Sequence, residues 1–190
     1  MRKLILASTS HWRKTILEKA RIPFTIEKPD YEEDMTLKMP PAKLAAFLAL
    51  GKAQSVAIKH ADAVIVSADT FAEYKGELLG KPHTKDRAYN VLNMLSGKWH
   101  PIHTGIAVID TKTGKKTVKT VTTKVHFRKL ASEEIEAYVE SGEPLQAGGS
   151  YTAQETGATF IDKIEGDFYA IVGLPIATLV PILAKYGIKR

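Results

Sequence analysis

The stretch Ala63-Val64-Ile65-Val66-Ser67 constrains this chain most. A short, unbroken apolar run rich in β-branched residues suits a strand buried on both faces, as in the centre of an α/β sheet. It leads into Ala68-Asp69-Thr70, so an acid directly follows the apolar run. Open α/β sheets collect their ligands at that carboxyl edge, where Asp69 could accept a proton from water or hold a metal. A turn aspartate that caps the next segment fits the same residues equally well.

The flanking segments supply the layers. Residues 3–7 read as a short buried strand. Ser10 then caps a helix carrying Ile16, Leu17 and Ala20 at one-turn spacing, and Pro23 ends it. Residues 24–26 form a second strand, and 28–39 an acidic, irregular loop. A strong amphipathic helix covers 43–58, with Leu44, Phe47, Leu48 and Val56 on its apolar side. Residues 71–79 read as a hairpin turning at Lys75-Gly76, 84–95 as helix, and 102–109 with 118–127 as paired strands. Ser132 caps a helix that Gly142 closes. A last strand pair over 159–164 and 168–172 precedes a helix from Pro175. The alternation predicts a mixed α/β sheet flanked by helices, in one domain spanning 1–190.

Composition excludes several classes. With 190 residues and 44% hydrophobic content the chain can build a core without staples, and the absence of cysteine removes disulfides and thiolate zinc sites. The apolar run after the basic start is too short for a secretory signal. Residues 168–188 are broken by Gly173, Pro175, Pro181 and Lys185, which argues against a membrane span. The expected location is the cytoplasm. A net charge of +6 suits a polyanionic ligand, nucleotide or nucleic acid, although scattered lysines on a solvated surface produce the same balance.

Local constellations carry the chemistry. Ser8-Thr9-Ser10 feeds a strand into a helix N-terminus, whose unpaired N–H groups attract anions. Arg13 and Lys14 oppose the helix dipole there, which a bound phosphate would explain; a capped helix with surface cations is the plainer reading. Asp30-Tyr31-Glu32-Glu33-Asp34 could hold Mg²⁺ or be a solvated loop. Lys81 stands between Gly80 and Pro82 as a directed cation, and Lys52 on the 43–58 helix is either a rim residue or a phosphate ligand. His60, His83, His100, His103 and His126 lack metal-ligand spacing and read as structural or surface residues. No Walker A, Rossmann fingerprint, His-Glu-x-x-His or serine-hydrolase elbow is present.

In order along the chain stand Leu6-Ala7-Ser8-Thr9-Ser10, Trp12-Arg13, Glu33, Gly51-Lys52-Ala53, Ala68-Asp69-Thr70 and Gly80-Lys81-Pro82. Leu95-Ser96-Gly97, His103-Thr104-Gly105, Phe127-Arg128, Gly142-Glu143-Pro144, Gly157-Ala158 and Val172-Gly173-Leu174-Pro175 follow. This ordered series resembles the Maf family of nucleotide pyrophosphatases, from residue 3 to about 185. The resemblance implies an elongated two-lobed α/β fold similar to inosine-triphosphate pyrophosphatase. It implies hydrolysis of the α–β phosphate bond of nucleoside triphosphates with Mg²⁺, Mn²⁺ or Co²⁺, clearance of modified nucleotides, and a homodimer. By position, Asp69 is the proton acceptor and Glu33 the second essential acid, both toward metal. Lys52 and Arg13 match phosphate-holding cations, Ser8 and Ser10 the loop, and Lys81 and Gln154 substrate contacts.

Three departures leave the base open. His11-Trp12-Arg13 stands where many members have Pro-Arg-Arg. Trp12 resembles a branch acting on 7-methyl-GTP, whose cationic base could stack on indole, or it is a packing residue. Gln154 resembles the branch acting on dTTP and UTP. Gln146-Ala147-Gly148-Gly149 replaces Asp-Lys-Ala-Gly. A nucleic-acid-binding protein, or a cell-division regulator without turnover, is the alternative reading.

Overall fold

A computed structural model describes residues 2–34 and 37–188; Met35 and Thr36 of the acidic loop and the terminal residues lie outside this range. The central run becomes β3 (Val64–Tyr74), and β1 (Leu4–Ala7) lies parallel to it with Leu6 opposite Val66. β2 (Thr25–Glu27) extends the parallel side, while β4 (Glu77–Leu79), β5 (Trp99–Asp110), β6 (Lys116–Phe127) and β7 (Ile161–Glu165) are antiparallel. The sheet has the order β2-β1-β3-β5-β6-β7, with β4 paired to β3 off this path.

Alternation along the strands divides the core between two faces. Leu4, Leu6, Val64 and Val66 face Ile16 and Leu17 of α1 (His11–Lys19) and Leu179 and Leu183 of α6 (Ile176–Lys185). Ile5, Ala7 and Ile65 face Ala49, Ala53 and Val56 of α2 (Pro41–Ala57). A separate cluster gathers Leu92 and Leu95 of α3 (Lys85–Leu95), Ile135 and Tyr138 of α4 (Ser132–Glu140), and Val125, Phe127 and Phe160. Two lobes result, joined by the long strands β3 and β5.

The expected elements are present with five corrections. β3 does not end before Asp69 but continues through it to Tyr74, its ladder with β5 running from Val64 to Ala72 and Phe71 and Ala72 still buried. The turn at Lys75-Gly76 joins β3 to β4, both residues taking positive φ (53° and 88°) as a tight hairpin requires. Residues 168–172 form α5 (Phe168–Val172), not a strand. Their aromatic and β-branched composition favours strand, but the Asp167 carboxylate accepts the N–H of Tyr169 at 2.8 Å, and Gly173 closes the helix at φ 118°. Residues 159–160 belong to a 3₁₀ segment (Thr156–Phe160), leaving β7 to start at Ile161. Ser132 is the first helical residue of α4; Ala131 is the cap, its N–H bonded to Glu134 Oε2 at 3.0 Å. Phe47 is 43% exposed, so the apolar face of α2 runs through Leu44, Ala45, Leu48 and Ala49 instead.

His100 joins the distal core. It is fully buried, hydrogen-bonded through Nε2 to the Tyr151 hydroxyl at 2.9 Å, and edge-on to Phe127 at 5.0 Å. Burial disfavours the imidazolium and pulls its pKa down to about 4 from the ordinary 6.5. Between those values the unfolded chain binds the proton and the folded chain does not, so stability falls as pH drops through that window. The expected loss is ~3 kcal/mol between pH 7 and 4. Urea unfolding at both values, with wild type and His100→Gln, measures it; an equal acid loss in the variant would remove His100 as the cause.

Candidate active site

Asp69, at the middle of β3, shares the sheet face of Ile65 and Phe71 and points toward α2. Its strand partner is Gly105 on β5, and the missing side chain there lets the backbone of Ala45 and Ala46 lie directly on the sheet. That close approach brings Lys52, two turns further along α2, to Asp69 Oδ1 at 3.1 Å. Lys52 Nζ also reaches Glu33 Oε1 at 2.7 Å. Glu33 comes from the irregular loop, which docks by laying the Tyr31 ring over Gly51, where any Cβ would collide with it.

The other wall is the Ser8–Arg13 turn. Ser8 Oγ accepts the Ser10 N–H at 3.1 Å, and Ser10 caps α1 by accepting the Arg13 N–H at 3.5 Å. The half-buried Arg13 side chain donates from Nε to the Gly173 carbonyl at 3.0 Å and from Nη1 to Ser8 Oγ at 3.3 Å. Its Nη2 stands 4.0 Å from Asp69 Oδ1. A cation opposing the helix dipole is therefore held inward, against a carboxylate, and is no surface charge.

Electrostatics set Asp69 apart. Oδ1 takes Lys52 and the Thr70 N–H (3.1 Å), whereas Oδ2 is buried with no hydrogen-bond partner. Burial raises the Asp69 pKa above the ordinary carboxylate value; Lys52 and Arg13 oppose the rise, and Glu33 adds to it. Burial likewise lowers the Arg13 pKa, against the pull of Asp69 and Glu33. A carboxylate with a free oxygen and a raised pKa, facing a cleft, is suited to accept a proton.

The residues that the resemblance assigns to the site line one cleft of 1120 Å³, namely Ser8, Ser10, Trp12, Arg13, Glu33, Lys52, Asp69, Lys81 and Gln154, whereas Lys14, Asp30, Glu32 and Asp34 are not part of that lining. Lys52 contacts both Glu33 and Asp69, and Arg13 stands against Asp69, so these four residues are linked through charge. His83 is exposed, as a surface reading expects, and also lines the cleft. Sequence reasoning passed over Tyr151 and Arg87, which line it too. Arg87 carried the signal used for Arg13, a cation in the first turn of a capped helix, here behind Thr84. Among the described residues no cluster of three or more His, Asp or Glu side chains is arranged to hold a metal ion. None of their helices is long and apolar enough to cross a membrane.

Residues 3–186 match the Maf-like protein family. This chain belongs to the Maf-like family. Two curated Maf-like relatives, from Bacillus cereus (strain B4264) and Bacillus anthracis, are each 44% identical over 192 residues, covering 99% of this chain and 97% of theirs; both are named dTTP/UTP pyrophosphatase. Among solved structures, the Staphylococcus aureus Ham1 protein aligns over 97% of this chain and 100% of its own, with a TM-score of 0.52 and 12% identity. At that identity the likeness is one of fold, and it agrees with the expected inosine-triphosphate-pyrophosphatase-like architecture.

Proposed function

We propose that this Maf-like chain hydrolyses nucleoside triphosphates, with dTTP and UTP preferred, to the monophosphate and pyrophosphate. The observation that carries this reading is the buried Asp69 on a cation-lined cleft, with one oxygen held by Lys52 and the other buried without a hydrogen-bond partner. Water attacks the α-phosphorus, its proton passes to Asp69 Oδ2, and the α–β bridging oxygen leaves with pyrophosphate. Arg13, Lys52 and the N–H groups at the head of α1 meet charge that grows on the phosphates. Lys52 also favours the ionised form of Asp69, opposing the larger upward pull of burial.

The donor set fits a hard divalent cation. Asp69 Oδ2 is an orphaned acceptor and Glu33 is a partly exposed carboxylate on the same cleft. Mg²⁺ takes one or two carboxylates and completes its shell with water and phosphate oxygens, so no third protein ligand is required. Asp69 and Glu33 would hold Mg²⁺, Mn²⁺ or Co²⁺, and the ion would neutralise phosphate charge and acidify water.

The preference for dTTP and UTP rests on the names of the relatives and on Gln154 in the cleft lining. Trp12 lines the cleft as well, edge-on to His11 at 5.2 Å, and 7-methyl-GTP stacked on its indole is the second reading. Turnover of dTTP, UTP, CTP and 7-methyl-GTP with Mn²⁺ separates them, and heavy-oxygen water should label the monophosphate. Label in the pyrophosphate would overturn attack at the α-phosphorus. The same reading takes residues 1–190 as one catalytic domain, acting as a cytoplasmic homodimer; light scattering tests the assembly.

A further inference from the structure

We infer that Tyr31 is a positioning residue, whose ring seats in a notch at Gly51 and holds Glu33 beside Lys52 in the free protein. The inference rests on the reading of the cleft as a nucleoside triphosphate site, and it gives a task to a residue which that reading leaves out.

The notch begins in the sequence of α2. Gly51 lies in the interior of that helix, where glycine is disfavoured because it gives up the most backbone freedom. Its φ is outside the left-handed region, so no turn requires it. What occupies the place of the missing side chain is Tyr31. A Cβ on residue 51 would lie 2.3 Å from Cζ, 2.4 Å from Cε2 and 2.6 Å from Oη of that ring. Carbon atoms in contact stand at ~3.5–4.0 Å, so the ring and a Cβ cannot share the site.

The ring is held by apolar packing as well. Tyr31 lies against the buried cluster of Leu44, Ala45, Leu48 and Phe71, and Leu37 joins the same cluster from the far side of the acidic residues. The loop is therefore pinned to α2 and β3 on both sides of Glu33. Phe71 also lines the cleft, so the surface that receives Tyr31 is continuous with the site.

Glu33 needs such an anchor. Its side chain is 40% exposed on a segment without regular structure, and an ion pair of that kind is too weak to order a loop by itself. Two residues of chain span at most ~7 Å. A ring fixed at Gly51 therefore keeps Glu33 within reach of Lys52, the next residue on α2, and the pair closes at 2.7 Å. Lys52 holds Asp69 with the same nitrogen at 3.1 Å. Without the seat, only the fraction of molecules with the loop in place is competent to bind, and apparent affinity falls by that fraction.

The test compares Tyr31→Ala, Tyr31→Phe and Gly51→Ala in the full chain. With UTP and dTTP in Mg²⁺, Tyr31→Ala should raise KM roughly tenfold and leave kcat within about twofold, since saturating nucleotide draws the loop back. Tyr31→Phe keeps the ring and should keep KM. Gly51→Ala should raise KM as Tyr31→Ala does, although alanine favours the helix. In the Tyr31→Ala background the same change should raise the unfolding midpoint by roughly 2–4 °C and add nothing to KM. On a Glu33→Gln background Tyr31→Ala should likewise add nothing. Amide hydrogen exchange of residues 28–34 without ligand should speed up in Tyr31→Ala and Gly51→Ala, which reads the seat whatever the cleft binds. Parental KM and exchange in Gly51→Ala would overturn the inference. So would a loss in Tyr31→Phe equal to that in Tyr31→Ala, a fall in kcat at unchanged KM, or full additivity with Glu33→Gln. Wild type that releases no pyrophosphate from any triphosphate sinks the reading of the cleft, and exchange alone then decides whether Tyr31 seats the loop.

Discussion

Asp69→Asn should lower kcat by roughly 10²–10⁴-fold, the range a positioned general base contributes. Asparagine keeps the shape and can still meet Lys52, now at 3.1 Å from Asp69 Oδ1, but it cannot take the proton that Oδ2 is free to accept. Stability should change little. An ionised carboxylate buried at this site is costly and is offset by Lys52 and Arg13; Lys52 retains Glu33 at 2.7 Å in the variant. Thermal unfolding beside kinetics separates the two effects. Full turnover would sink Asp69 as the base, and a collapsed fold would make the kinetic loss uninformative, in which case Asp69→Glu with heavy-oxygen labelling would decide the role.

The pH profile follows from the same residue. Burial is the largest influence on Asp69 and raises its pKa, so the protonated, inactive form persists above the ordinary carboxylate range. Activity should therefore rise with pH through an acid limb displaced upward, and the limb should vanish from the residual activity of Asp69→Asn. For stability the sign is opposite: a raised carboxylate pKa favours the folded state while Asp69 is protonated, and that contribution is lost as pH rises through the folded-state pKa.

Gly105→Ala should cost ~3 kcal/mol or more, at the upper end of overpacking, and lower the midpoint of thermal unfolding by roughly 10 °C. A Cβ at this position would fall inside the carbonyl of Ala45 and the amide of Ala46, backbone atoms that cannot rotate away. α2 must lift from the sheet, and Lys52 travels with it, so kcat should fall by about 10²-fold even in the folded fraction. Gly80→Ala is the control, since a Cβ there meets nothing within 4 Å and φ is not in the left-handed region. A Gly105→Ala protein within ~0.5 kcal/mol of the parent would show that α2 is not seated by this glycine.

Much of this was legible in the chain itself because it is local. Apolar runs marked β1 and the first half of β3, the cap at Ser10 marked the start of α1, and the Lys75-Gly76 turn marked the hairpin. Where local signals conflicted, the reading failed: at residues 168–172 strand propensity was outweighed by the Asp167 cap and the Gly173 stop. Glu134 likewise drew the cap of α4 back from Ser132 to Ala131.

The starting point was the apolar run and the acid beyond it. By itself the sequence determined that Ala63–Ser67 is central sheet, that Asp69 adjoins it, and that an ordered set of polar residues accompanies it. Tertiary structure decided that Asp69 lies inside the strand, with one oxygen shared among Lys52, Arg13 and a backbone N–H and the other left free. It also brought Arg87 to the same cleft. The reason is physical: strand and helix formation follow from neighbours in the chain, whereas burial and the charges that bias Asp69 come from a loop, two helices and a glycine distant in sequence, which meet only when the sheet is packed.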